Sequence, residues 1–290
     1  MIEFEALKAN SLDEVLEILA DKKNEVKMVA GGTDMLVEIH HESDDLKNMK
    51  YLLDISSVPG LDVIEDHEEY LSIGTLCTHS EIMDSVLINE KLPILKKAAG
   101  VIGSTQIRNR GTVGGNINNA SPAADLVTSL IALDASVVLQ SKHGKRELSI
   151  TEFITGPYRT DRYEDEIMTE VKVPYLKGDY YDNYQKVMRR QAVAIARINL
   201  AVVTDVKDGK LADTRVAFGS ATPTAMRFRD IEEKLKGTKI DEIEYEELAE
   251  RAGEEMVEVT GTRWSTPYKK PVVGNLLKRA LQSIVKEVQQ

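Results

Sequence analysis

Ala30-Gly31-Gly32-Thr33-Asp34-Met35-Leu36 and Gly111-Thr112-Val113-Gly114-Gly115-Asn116-Ile117 are the two stretches that decide how this chain folds. Glycine tolerates positive φ and close backbone approach, so consecutive N–H groups in such loops can converge on an anion with no Cβ in the way. A single Gly-Gly loop is as often a tight strand-to-helix connection. Two in one chain suggest a ligand with a diphosphate. Neither loop reads G-x-G-x-x-G, and no G-x-x-x-x-G-K-[ST] occurs, which excludes a Rossmann or P-loop cradle. The first loop follows the apolar run Val26-Lys27-Met28-Val29-Ala30 and precedes Met35, Leu36 and Ile39, spaced as a helical stripe. It reads as strand, turn, helix, with a phosphate expected at the turn.

Working outward, residues 2–6 read as extended and Ser11 with Glu14 as a capping box opening a helix that turns Val15, Leu16 and Leu19 inward. Residues 51–55 are again extended. Pro59-Gly60 marks a turn and a subdomain boundary. Beyond it come a strand at 71–75, a helix capped by Thr78 with Glu81 three residues on, a helix at 93–99, the second loop and an apolar helix at 123–133. Strands are expected at 136–140 and 167–173. Leu176-Lys177-Gly178-Asp179 is a polar connector, followed by strands near Lys186 and at 200–206 and by acidic helices from Asp230 onward. The expected division is 1–175, with subdomains 1–58 and 59–175, and 176–290.

The 290 residues, 42% of them hydrophobic, are enough for a full core. With 37 basic against 48 acidic residues the net charge is −11, which argues against nucleic acid or an anionic membrane as the main partner. No apolar run is long enough to span a bilayer, and the acidic start Met1-Ile2-Glu3-Phe4-Glu5 lacks a signal-peptide pattern, so a cytoplasmic location is expected. Cys77 is the only cysteine, so this chain alone can build neither an internal disulfide nor a thiolate-ligated iron–sulfur cluster. It reads as a buried packing residue. The five histidines show no metal-ligand spacing, and there is no G-x-S-x-G elbow.

Val29-Ala30-Gly31-Gly32-Thr33-Asp34, Gln106-Ile107-Arg108-Asn109-Arg110-Gly111-Thr112-Val113-Gly114-Gly115-Asn116 and Ala120-Ser121-Pro122-Ala123-Ala124-Asp125 together carry a family resemblance. The chain resembles the FAD-binding medium subunit of molybdenum hydroxylases, the family of the bacterial xanthine, nicotinate and carbon monoxide dehydrogenase flavin subunits. The likeness extends to Tyr268-Lys269-Lys270. It implies an α+β fold: a two-lobed FAD-binding domain of the vanillyl-alcohol-oxidase type, then a smaller α+β domain. It further implies an oxidoreductase subunit that holds FAD, beside a molybdopterin-binding large subunit and a [2Fe–2S] small subunit, passing electrons to an acceptor such as NAD. The segment 120–125 is similar to the xanthine dehydrogenase version, which points to a purine or another N-heterocycle as substrate of the assembly.

The resemblance places Met28, Val29, Ala30, Gly31, Gly32, Thr33, Asp34 and Met35 in a first FAD loop and Thr112, Val113, Gly114, Gly115 and Asn116 in a second, with amides and the Thr33 and Thr112 hydroxyls toward phosphate. Asp34 would repel a diphosphate, so it reads as capping the next helix or orienting the loop. Asp125 is either an ordinary charge at a helix start or, by resemblance, an acceptor for a ribose or ribityl hydroxyl. Ile102, Met168 and Lys186 align with an apolar wall, a backbone contact and a cation near the flavin. On periodicity alone the first two are core residues and Lys186 an exposed strand residue. Tyr184 either covers a ring face or packs. Of Arg108 and Arg110, one is expected near phosphate, with a solvated pair as the alternative. No residue reads as an acid, base or nucleophile, in keeping with chemistry that resides in a cofactor. A stand-alone FAD oxidase is the other enzymatic reading, and it would need a substrate cap.

Overall fold

The computed structural model describes residues 4–190 and 193–290 and shows three layered units. In the first, β1 (Glu5–Lys8), α1 (Leu12–Lys22), β2 (Val26–Val29), α2 (Met35–His40) and β3 (Tyr51–Asp54) form a parallel sheet of order β1-β3-β2. The strand expected from Ile2 begins outside the described residues. Ser11 does cap α1, accepting from the Glu14 N–H at 3.2 Å, but Glu14 reaches back to the N–H of Asn10 rather than of Ser11. Val15, Leu16 and Leu19 pack on Leu53 and Ile55.

The second unit holds β4 (Ile64–Asp66), β5 (Tyr70–Gly74), α3 (His79–Asp84), α4 (Val86–Lys91), α5 (Pro93–Gly100), α6 (Thr105–Arg108), α7 (Val113–Asn118) and α8 (Asp125–Ala132). It continues through β6 (Ser136–Ser141), β7 (Gly144–Ser149), α9 (Ile150–Phe153), β8 (Ile154–Gly156), β9 (Arg159–Thr160) and β10 (Ile167–Pro174). Its main sheet is antiparallel in the order β4-β5-β10-β6-β7. Thr78 and Glu81 make a complete capping box at α3.

The third unit is the antiparallel sheet β11 (Tyr180–Val187), β12 (Ile198–Lys207), β13 (Lys210–Gly219) and β14 (Met226–Arg227), followed by α10 (Arg229–Leu235), α11 (Tyr245–Thr260) and α12 (Thr266–Val288). The long strand β13 is absent from the sequence expectations, its polar letters masking an alternation that buries Leu211, Val216 and Phe218. β12 is covered on both faces. Alternation sends Ile198, Leu200 and Val202 to the helices α10–α12 and Ala201 and Val203 to the core of the second unit. α8 lies between the two units with all eight residues buried, its apolar residues packed in the core of the second unit and Asp125 and Thr128 held in hydrogen bonds. No described helix is long and apolar enough to cross a membrane.

Candidate FAD site

The two glycine loops meet. An ideal Cβ on Gly31 would lie 1.8 Å from the carbonyl oxygen of Arg110 and 3.1 Å from the Cα of Gly111, so only glycine lets the first loop rest on the start of the second. Gly32 adopts φ +76°, a left-handed conformation that glycine takes without strain. A hydrogen bond of 3.1 Å from Asn119 Nδ2 to Asp34 Oδ1 also ties the first loop to the C-terminal end of α7. Asp34 therefore orients the loop. It makes no side-chain cap on α2, so the capping half of the expectation is corrected.

The loops differ in what they leave open. Among the described residues, no hydrogen bond runs from the main-chain N–H of Gly31, Gly32, Thr33 or Asp34 to a protein acceptor. These residues are half-buried or, at Asp34, exposed, so the four donors are open to solvent and available as a cradle for an anion. The amides of the second loop are instead committed to the scaffold. Val113 donates to Cys77 O at 2.8 Å, Gly114 to Thr75 O at 2.8 Å and Gly115 to Thr112 Oγ1 at 3.1 Å. A Cβ on Gly114 would fall 1.7 Å from Thr75 Oγ1, which is how α7 docks on the end of β5. The expectation that both loops offer amides thus narrows to the first loop and the Thr112 N–H. The second loop contributes side chains. Asn116 Oδ1 is buried with no donor, and the Thr112 hydroxyl, an acceptor at the α7 cap, can still donate.

Cys77 and His79 support this loop from behind. Burial pushes the Cys77 thiol up to about 12, which keeps it protonated and inert. His79, 3% exposed, donates its main-chain N–H to Gly111 O at 3.1 Å. Burial, aided by the Arg108 charge, holds its ring down at about 4.

Lys186 is not an exposed strand residue. Its ammonium lies 2.6 Å from Asp125 Oδ2 and 2.9 Å from Val101 O, and the Lys186 and Asp125 side chains are only 3% and 7% exposed. Asp125 Oδ1 accepts from Tyr184 Oη at 2.7 Å and Asn199 Nδ2 at 3.0 Å, while Asn199 Oδ1 accepts from Thr128 at 2.9 Å. Desolvation and the adjacent carboxylate hold the Tyr184 phenol well above its ordinary value, so it stays a donor. This buried network joins α8 to β11 and β12. Neither Tyr184 nor Asn199 announces such a role by its local pattern.

The loop 101–103 is set from two sides, by Lys186 on Val101 O and by Arg108 Nη1 on Ile102 O at 3.0 Å. Ile102 is half-buried there. Arg108 is thereby committed to bracing, and the exposed Arg110, whose carbonyl touches Gly31, is the arginine beside the first loop. Met168 is buried in β10 next to a register shift, with Asn118 Nδ2 3.8 Å from its sulfur. Ala120 has φ +47°, strain of the kind that collects at ligand loops.

With this geometry in place, the comparisons with known proteins decide the family. Residues 2–176 match the family described as the FAD binding domain in molybdopterin dehydrogenase, and residues 183–284 match the CO dehydrogenase flavoprotein C-terminal domain. The chain belongs to the FAD-binding medium subunits of the molybdenum hydroxylases. It is 30% identical to the glyceraldehyde dehydrogenase medium chain of Sulfolobus acidocaldarius, with 97% of this chain and 98% of that protein covered. It is 28% identical to the xanthine dehydrogenase FAD-binding subunit of Escherichia coli O157:H7, covering 96% and 94%. In three dimensions it superposes on a chain of the carbon monoxide dehydrogenase from Hydrogenophaga pseudoflava with a TM-score of 0.88, 28% identity and 98% of each chain covered. The α+β expectation holds, and this medium subunit is an oxidoreductase component whose cofactor is FAD.

Proposed function

We propose that this flavin subunit relays electrons from [2Fe–2S] clusters on a small partner, beside a molybdopterin-binding large partner, to an external acceptor such as NAD. Bound FAD supplies the redox chemistry, interconverting one- and two-electron transfers. The observation that carries the reading is the pair of contacting loops, with four uncommitted amides in the first and the orphaned Asn116 Oδ1 in the second. The amides of Gly31 to Asp34 hold the diphosphate, with Arg110 adding positive charge alongside. Asn116 Oδ1 accepts from a hydroxyl of the sugar chain, which gives that buried oxygen its donor. The free lone pair on Asp125 Oδ2 takes a second hydroxyl. Ile102 and the main chain at Met168 bound the flavin ring, and Lys186 places a cation near it while anchoring the loop that carries Ile102.

Relatives of similar likeness are named for glyceraldehyde, xanthine and carbon monoxide. That spread on one flavin scaffold supports substrate oxidation by a partner, and a purine is no better supported for the assembly than an aldehyde. The chain matches the carbon monoxide dehydrogenase chain over 98% of both, at 28% identity, which favours a subunit of such an assembly over the stand-alone oxidase. Purification of the tagged chain from its native cytoplasm is the test. One FAD per chain and two co-purifying subunits, one with molybdopterin and one with [2Fe–2S] clusters, are expected. A flavin-loaded chain that remains alone and turns over a substrate would overturn the reading.

A further inference from the structure

Thr260, Arg263, Ser265, Thr266 and Lys269, where α11 turns into α12, line a cavity of about 50 Å³ with Thr222 opposite. That volume admits roughly three to five waters, the space of one tetrahedral oxyanion. In a chain of net charge −11, this corner is cationic. Among the described residues, Arg263, Lys269 and the nearby Arg197 have no carboxylate partner, and Arg197 instead lies over the Tyr268 ring at 5.8 Å. Burial first, then the Arg263 and Arg197 charges, pushes Lys269 down, as expected where cations stand close together.

The donors exceed the acceptors. Lys269 gives one proton to Ser220 O and keeps two, and Arg263 gives Nε–H to Thr260 O at 3.1 Å and keeps both Nη groups. Among the described residues Ser265 Oγ has no protein partner, and Thr266 Oγ1, which accepts from the Arg263 N–H at 2.8 Å, retains its own proton. Thr222 and Thr260 donate to main-chain carbonyls at 2.6 Å and 2.9 Å, so they close the wall without competing. Spare donors converging from two cations and two hydroxyls around one small cavity call for an acceptor with several oxygens and negative charge. We infer that this cavity is a binding site for one phosphoryl group, separate from the glycine loops and independent of the FAD reading. The source is either free phosphate or the phosphate of a nucleotide whose base stacks on the adjoining Trp264, which is 90% exposed.

Trp264 is the only tryptophan of the chain and reports on the site. The experiment titrates the purified flavin-loaded protein with sodium phosphate, and separately with ADP, at constant ionic strength set by sodium chloride, reading tryptophan emission and melting temperature. Saturable phosphate binding is expected, weakened roughly tenfold or more in Arg263→Gln and in Lys269→Gln, because each removes a charge-assisted donor. Arg263 is exposed, so Arg263→Gln should fold normally, with flavin content as the check. Equal affinity for phosphate and ADP identifies a free-anion site, and ADP binding at least tenfold tighter with quenched Trp264 identifies a nucleotide site. Absence of saturable binding, or binding unchanged in both variants, overturns the inference. Loss of partner-subunit binding in Arg263→Gln without any phosphate effect also overturns it, by assigning the cations to a carboxylate of the partner.

Discussion

Gly31 and His79 carry the clearest consequences at the residue scale. Gly31→Ala places a Cβ 1.8 Å from Arg110 O, so the loops must part, and the purified variant should lose most of its flavin absorbance. Gly60→Ala is the control. It has φ +81° and open space within 4 Å, so it should cost about 1–2 kcal/mol of backbone strain with flavin content unchanged. Full flavin in Gly31→Ala would refute the meeting of the loops as the basis of binding. His79 is neutral in the native state at about 4 against an ordinary 6.5, so protonation favours the unfolded chain. The stability it permits is complete above pH ~6.5 and declines as pH falls toward ~4. Between pH 7 and 5 the wild type should lose about 2 kcal/mol more than His79→Gln in urea denaturation. Parallel pH profiles would refute this. The thiol of Cys77 should resist maleimide in the native protein and react once unfolded.

At the element scale, the junction of α8 with β11 depends on a buried ion pair, which stabilises only while both partners are present. Lys186→Met leaves Asp125 charged and uncompensated, with an expected loss of about 3–5 kcal/mol. The double variant Asp125→Asn, Lys186→Met should recover most of it, and denaturation midpoints of Lys186→Met, Asp125→Asn and the double variant measure the coupling. Strictly additive losses would contradict a direct pair. This junction also marks the limit of reading the sequence. The strand–turn–helix around Gly31, the Thr78–Glu81 box and the largely apolar α8 are legible because each depends on neighbours within a few positions. Lys186 lies 61 positions from Asp125, and its own strand gives no sign that α8 covers it. The choice between Arg108 and Arg110 was hidden for the same reason. It follows from where the 101–103 carbonyls and Gly31 come to rest, which only the tertiary fold decides.

Across the whole molecule, the parallel sheet presents the first loop, the antiparallel sheet and α7 present the second, and the C-terminal sheet closes over α8 to supply Tyr184, Lys186 and Asn199. In the proposed function the three units converge on one cofactor and another chain oxidises the substrate. The most direct measurement is anaerobic absorbance of the flavin, with the substrate that reduces the native assembly added first to the isolated subunit and then to the subunit recombined with its partners. An unchanged spectrum in the isolated subunit and prompt bleaching after recombination are predicted, whereas bleaching of the isolated subunit by substrate would contradict the account.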